Sequence, residues 1–154
     1  METIKERIME NLKESLEGIK QLDGFNFDFT PDTVQRWSMH GNSMVDFPMV
    51  IIISGEEIEE SVPDNFEECN LSVYLDIFFI HNEDDVVSTD TYLNRLQGDI
   101  KKAILEDYSR GGLAIDTNVL GTVPFEATEG QNYSGIIIEI EIRYRHLRND
   151  PTLK

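Results

Sequence analysis

The sequence predicts an α+β fold: a mainly antiparallel β-sheet with two amphipathic helices packed on one face, in a single domain over residues 1–154. Three observations predict it. Aliphatic side chains recur every three or four residues in two stretches, which marks helices with one buried stripe. Two other stretches alternate apolar and polar residues, which marks strands with one face in a core. The blocks run helix, strands, helix, strands, an order that suits helices gathered on one side of an antiparallel sheet.

Residues 2–20 are the first helix. Ile4, Ile8, Leu12, Leu16 and Ile19 form its stripe, and Glu2, Lys5, Glu6, Arg7, Glu10 and Lys13 cover its other faces. Gly18 and Gly24 bracket its stop. Thr33 to His40 is a strand, followed by the turn signal Gly41-Asn42-Ser43. Pro48 precedes Met49-Val50-Ile51-Ile52-Ile53, whose shortness, β-branching and trailing Gly55 mark a buried strand. Residues 69–80 form a long strand with Leu71, Val73, Leu75, Ile77 and Phe79 turned to the core.

The segment His81-Asn82-Glu83-Asp84-Asp85 is a polar break, and Ser88 or Thr89 caps the second helix. Tyr92, Leu93, Leu96, Ile100, Ala103 and Ile104 give that helix its stripe. Gly98 interrupts it at a cost of about 1 kcal/mol relative to alanine; a close approach of helix to sheet would account for it. Arg110-Gly111-Gly112 ends the helix with a left-handed glycine. A weaker strand spans Leu113 to Val123 and stops at Pro124, and Gly130-Gln131-Asn132-Tyr133 is a turn. In the last strand Ile136, Ile138, Ile140, Ile142 and Tyr144 share one face, and Glu139, Glu141, Arg143 and Arg145 share a wet one.

Hydrophobic residues make up 40% of the chain, enough for a core and too many for a disordered tail. No apolar run approaches the roughly 20 residues that span a bilayer, and the charged start METIKERIMENL does not read as a signal peptide. No membrane association is expected. The lone Cys69 excludes an internal disulfide and suits a reducing compartment. The net charge of −17 argues against wrapping around nucleic acid, where cations that neutralise phosphate dominate affinity.

That charge is uneven. Between residues 21 and 142 the only cations are Arg36, Arg95, Lys101, Lys102 and Arg110, whereas the C-terminal stretch carries Arg143, Arg145, Arg148 and Lys154 against Asp150. The densest acidic stretch runs from Glu56 to Glu68 and reads as a solvated loop that keeps the protein soluble. Arg143, Arg145 and Arg148 are candidates to pair with Glu56, Glu57, Glu59 and Glu60 of a neighbouring subunit. The alternative is that they screen Glu139 and Glu141 within their own sheet.

Signals for chemistry are sparse. His40, His81 and His146 do not stand at metal-ligand spacing with one another or with Cys69. No glycine-rich phosphate cradle opens a helix after a strand. Glu83-Asp84-Asp85 lacks the alternating ligands and glycine of a calcium loop. With 30 acidic residues, chance carboxylate pairs are expected. Trp37 beside Arg36 has no basic surroundings to support base stacking. The expectation is no enzyme, no catalytic residue, no bound metal and no cofactor.

Five segments, in order, resemble the tail terminator family of long-tailed phages, the lambda-type minor tail protein. They are Thr3-Ile4-Lys5-Glu6-Arg7-Ile8; then Val34-Gln35-Arg36-Trp37 with His40-Gly41-Asn42-Ser43 and Pro48-Met49-Val50-Ile51-Ile52-Ile53; then Leu71-Ser72-Val73-Tyr74-Leu75-Asp76. Asp99-Ile100-Lys101-Lys102-Ala103-Ile104 with Gly111-Gly112-Leu113-Ala114 comes next, and Gly135-Ile136-Ile137-Ile138-Glu139-Ile140 with Tyr144-Arg145-His146 closes the series. The resemblance covers nearly the whole chain. It implies a homo-oligomeric ring, typically of six subunits, that caps the tail tube, stops its polymerisation and offers a surface to the head-completion or connector protein. A related head–tail joining or tail-completion protein is the alternative. The resemblance also implies a place in the virion tail after synthesis in the bacterial host cytoplasm. DNA would pass through without specific binding, past repelling carboxylates for which Asp84 and Asp85 are candidates.

Overall fold

Thr3 starts the first helix by accepting a hydrogen bond from the Glu6 backbone N–H through its side chain, at 3.1 Å. In the computed structural model, which describes residues 1–80, 86–126, 130 and 133–154, helix α1 runs Ile4–Glu17. Its buried stripe is Ile4, Ile8, Met9, Leu12 and Leu16. The helix is shorter than expected because Gly18 turns the chain, and Ile19 continues the stripe into the core from outside the helix. Each buried aliphatic side chain contributes about 1.5–3 kcal/mol relative to exposure.

The strands are β1 (Val34–Arg36), β2 (Met49–Val62), β3 (Phe66–Phe79), β4 (Ala114–Phe125) and β5 (Ser134–Leu147). They form one sheet in the order β1-β2-β3-β5-β4, with β1 parallel to β2 and every other pair antiparallel. Helix α2 (Thr89–Glu106) lies between β3 and β4 in sequence, and Ser88 is its cap, accepting from Thr91 N–H at 3.2 Å. Val50, Ile77 and Ile136 form one cross-strand row, and Ile52, Leu75 and Ile138 the next. These rows share one buried cluster with the stripes of both helices. The architecture is therefore α+β, a mainly antiparallel sheet with both helices on one face.

Several boundaries differ from the sequence expectation. The strand expected over residues 33–40 keeps three residues, β1. The acidic stretch from Glu56 to Glu68 is not a loop: it is the distal half of a β2–β3 hairpin, turned at Pro63–Asn65 with Asp64 and Asn65 in left-handed conformations (φ 68° and 65°). Pro124 does not end β4, because β4 is an edge strand, where a missing N–H is tolerated. Helix α2 ends at Glu106, and the left-handed Arg110, Gly111 and Gly112 (φ 50°, 67° and 82°) shape the following turn instead of capping it. Gly98 faces open space, with nothing within 4 Å of where a Cβ would sit, so no close helix–sheet approach explains it. The polar break at residues 81–85, and Gln131 and Asn132 of the expected turn, lie outside the described residues.

Two buried polar side chains tie the layers together. Asp99 on α2 accepts from the backbone N–H groups of Asn26 and Phe27 at 2.8 and 2.9 Å, which clamps the segment after α1. Arg110 is buried and donates to the Ile104 carbonyl and to Ser15 Oγ, linking the end of α2 to α1. Burial lowers the pKa of its guanidinium from the usual value.

Candidate functional site

Both helices cover one face of the sheet; the other faces outward. Its rows follow from the register: Met49, Phe78, Gly135 and Phe125; then Ile51, Asp76, Ile137 and Val123; then Ile53, Tyr74, Glu139 and Gly121. At one end of this face Phe47 stacks on Tyr133 at 5.7 Å between ring centroids, and Phe78 meets both Tyr133 and Phe125 edge to face. Val123 is 63% exposed on the edge strand. Asp76 lies in the aliphatic row, where burial raises its carboxyl above the usual carboxylate range.

At the opposite end the outward face is charged. Arg143 and Arg145 both approach Glu68, at 3.5 and 3.7 Å, and Arg148 Nε lies 3.2 Å from Glu67. Arg143 and Arg145 therefore pair across strands with Glu68 of β3, not with Glu139 and Glu141, whereas Arg148, just past the end of β5, pairs with Glu67, which shares the helix side with His146. The three arginines remain about half-exposed, and exposed pairs of this kind are worth about 0–1 kcal/mol. Among the candidate acidic partners, Glu60 stands opposite Glu68 in the register. Glu57 turns to the helix side of the sheet, so it does not belong to the outward charged surface. Asp84 and Asp85 lie outside the described residues.

The helix side of the hairpin holds a polar cluster. A register shift between Ser54 and Glu57 sets the phase of distal β2, so that Glu57 and Glu59 face the same side as Leu71 and Cys69. Cys69 pairs in turn with Tyr144 on β5, and His146 follows on the same face. Tyr144 donates its hydroxyl proton to Glu57 Oε2 at 2.7 Å, and Lys5 Nζ of α1 lies 3.7 Å from that oxygen. Burial, with the acceptor Glu57 second, raises the Tyr144 hydroxyl above the ordinary phenol range. Thr3, Lys5 and Pro151 close a cavity of about 120 Å³ over Glu57, Glu59, Tyr144 and His146.

One ligand atom each from Glu59, Cys69 and His146 lie within 4.8 Å of one another. Cys69 and His146 are buried and Glu59 is exposed. His146 Nδ1 stands 2.7 Å from the Leu147 carbonyl. A carbonyl only accepts, so Nδ1 carries a proton, and in the neutral ring the lone pair is on Nε2. Burial, reinforced by the fields of Glu57, Glu59 and Glu67, pushes the Cys69 thiol up to about 11, so it is neutral at physiological pH.

Linear spacing gave no sign of this cluster, because its members come from three strands. The alternation phase held half the signal: Cys69 shares a phase with Leu71, and His146 with Ile142 and Tyr144, so both face the helices. The other half is register, which alternation does not encode. Elsewhere, His40 is exposed, and Arg36 is committed to α1 through Glu6 (2.5 and 3.2 Å) and Glu10 (2.9 Å). The hydrogen bond from Arg36 holds the Glu6 carboxyl below its usual range. Trp37 beside it is exposed.

No family model matches the chain, and no curated protein is significantly similar to it.

Proposed function

We propose that this protein is a phage tail terminator, a homo-oligomeric ring that caps the tail tube, stops its growth and presents a surface for head joining. The observation that carries this function is the outward sheet face. The sheet has helices on one side only, and half of its other side is aliphatic and aromatic: Met49 and Ile51 are already covered, Ile53, Phe78, Phe125 and Ile137 are half-buried and Val123 is exposed. Contiguous apolar surface of this kind on a small domain marks a protein–protein contact. The charged end beside it, arginines flanked by carboxylates, supplies an orienting rim of the type that surrounds apolar interface centres.

Two further features support the proposal. The α+β fold agrees with the one that the ordered resemblance of five segments implies. The strongly acidic surface suits a collar through which DNA slides, since carboxylates repel phosphate and leave it free to move.

Electron microscopy and light scattering of the purified protein test the proposal. Rings with a central hole are expected. A monomer at every concentration, in low salt, high salt and magnesium, overturns it. Val123→Asp places a charge in the apolar half at an already exposed edge-strand position, so it should abolish rings and leave the circular dichroism spectrum unchanged. Deleting the gene from its phage should leave overlong or headless tails; normal-length tails beside filled heads would point to a joining protein instead.

A further inference from the structure

We propose that Glu59, Cys69 and His146 form a binding site for one Zn²⁺ ion per chain. The site goes beyond the assembly role and lies within a single chain, so it stands or falls independently of the ring.

The donor set selects the metal. A thiolate, an imidazole and a carboxylate are one soft, one borderline and one hard ligand, the mixture that zinc accepts. Magnesium and calcium take oxygen ligands and have no use for Cys69 or His146. Three protein ligands leave a fourth position for water, and the cavity over Glu59 and His146 provides both the room and the access path. The separation of the three donor atoms, within 4.8 Å of one another, needs only a modest contraction to the spacing of ligands around one ion.

His146 is set for the task before any ion arrives. Its Nδ1–H donates to the Leu147 carbonyl at 2.7 Å, which fixes the tautomer and leaves Nε2 as the coordinating nitrogen. Zinc-ligating histidines commonly donate their second ring N–H to a backbone carbonyl or carboxylate in this way. The local field also favours a cation. The carboxylates of Glu57, Glu59 and Glu67, which oppose a bare thiolate at Cys69, attract a divalent ion. Lys5 and Arg148 oppose it, but their cationic groups are engaged by Glu57 and Glu67.

Binding is a balanced exchange. The Cys69 S–H bond breaks, a Zn–S bond forms, and the proton passes to buffer. The two positive charges of the ion are then met by the Cys69 thiolate and the Glu59 carboxylate, with neutral His146 as third ligand. One proton is released per ion bound, and affinity rises with pH through the range in which the free thiol is protonated.

Cobalt(II) is the probe, added to the reduced protein in excess magnesium to suppress diffuse binding to the acidic surface. The expected result is one cobalt per chain, with a near-ultraviolet thiolate-to-cobalt charge-transfer band and the intense visible bands of a tetrahedral ion. Cobalt binding should release one proton, and one equivalent of zinc should then displace the cobalt with no further proton released. Cys69→Ser should remove the charge-transfer band, and Glu59→Gln, at an exposed position that leaves the fold intact, should weaken cobalt binding roughly tenfold or more. Absence of a charge-transfer band in the parent protein overturns the proposal. So does a Glu59→Gln variant that titrates like the parent. If Cys69→Ser does not fold, the parent spectrum and the Glu59→Gln titration still decide.

Discussion

The ring of Phe125 lies so closely against Gly135, its cross-strand partner, that a Cβ on Gly135 would overlap Phe125 Cζ and sit 2.5 Å from the Ile77 carbonyl oxygen. The glycine is therefore a packing requirement: an aromatic ring fills the space that its missing side chain leaves. Gly135→Ala must displace the ring and, because the Ile77 oxygen is backbone, strain the β3–β5 pairing as well. The expected cost is about 1–3 kcal/mol, read as a lowered urea midpoint at unchanged slope. An unchanged midpoint would mean that Phe125 rotates away freely.

Gly98 presents the opposite case. It lies in the interior of α2, is exposed, and would place a new Cβ in open space. Gly98→Ala should stabilise the protein by about 0.5–1 kcal/mol, from helix propensity and a less flexible unfolded chain. Thermal melts of parent and variant check this. A lowered melting temperature would show that Gly98 serves a contact outside the single chain.

Asp76 makes stability depend on pH. Burial raises its folded pKa above the unfolded value, so between those two values the native state holds more protons, and stability falls as pH rises through that window. An asparagine amide in its place carries no charge at any pH. Asp76→Asn should therefore stabilise the protein at about pH 7 and confer a smaller gain at about pH 3, below the usual aspartate pKa of about 3.9. Urea midpoints at the two pH values read the difference directly. An equal shift at both would assign the effect to packing.

The parts of the fold that were legible in sequence are those where one pattern dominates. The stripes of α1 and α2 and the alternation of β3 and β5 place their residues on the buried side, because burial against a core imposes the period. Distal β2 hides itself because its pattern is inverted. Glu57 and Glu59 face the helix side, while Ile58 faces out and is exposed, so acidity reads as loop. The turn was present as Pro63-Asp64-Asn65, but charge on both sides masked it. Gly98 misled for another reason: a helix glycine suggests a close contact, and only three-dimensional placement shows that none exists. The Glu59–Cys69–His146 cluster was half legible, in phase but not in register.

The ring proposed for this chain should respond to salt. Each chain carries a net charge of −17, so bringing copies together adds repulsion that screening relieves, with a Debye length of about 10 Å at 0.1 M ionic strength and about 3 Å at 1 M. A larger ring fraction is expected at intermediate salt or with magnesium than at low salt. Gel filtration that gives one size throughout would refute this.

The arginine row supplies the last test. Two guanidiniums, of Arg143 and Arg145, share the single carboxylate of Glu68 and remain about half-exposed, so each keeps donors free for a further partner. Glu56 and Glu60 are exposed on β2 and have no cationic partner among the described residues. A neighbour's Glu56 and Glu60 can meet those free guanidinium donors across a subunit contact. Replacing Arg143, Arg145 and Arg148 together with glutamine should cost the single chain only about 0–1 kcal/mol per exposed pair and leave its circular dichroism unchanged. The same replacement should shift the oligomer to smaller species in light scattering, most strongly at low salt, where charge pairing is least screened. Intact rings from this triple variant would assign the arginines to pairing with Glu67 and Glu68 of their own chain alone.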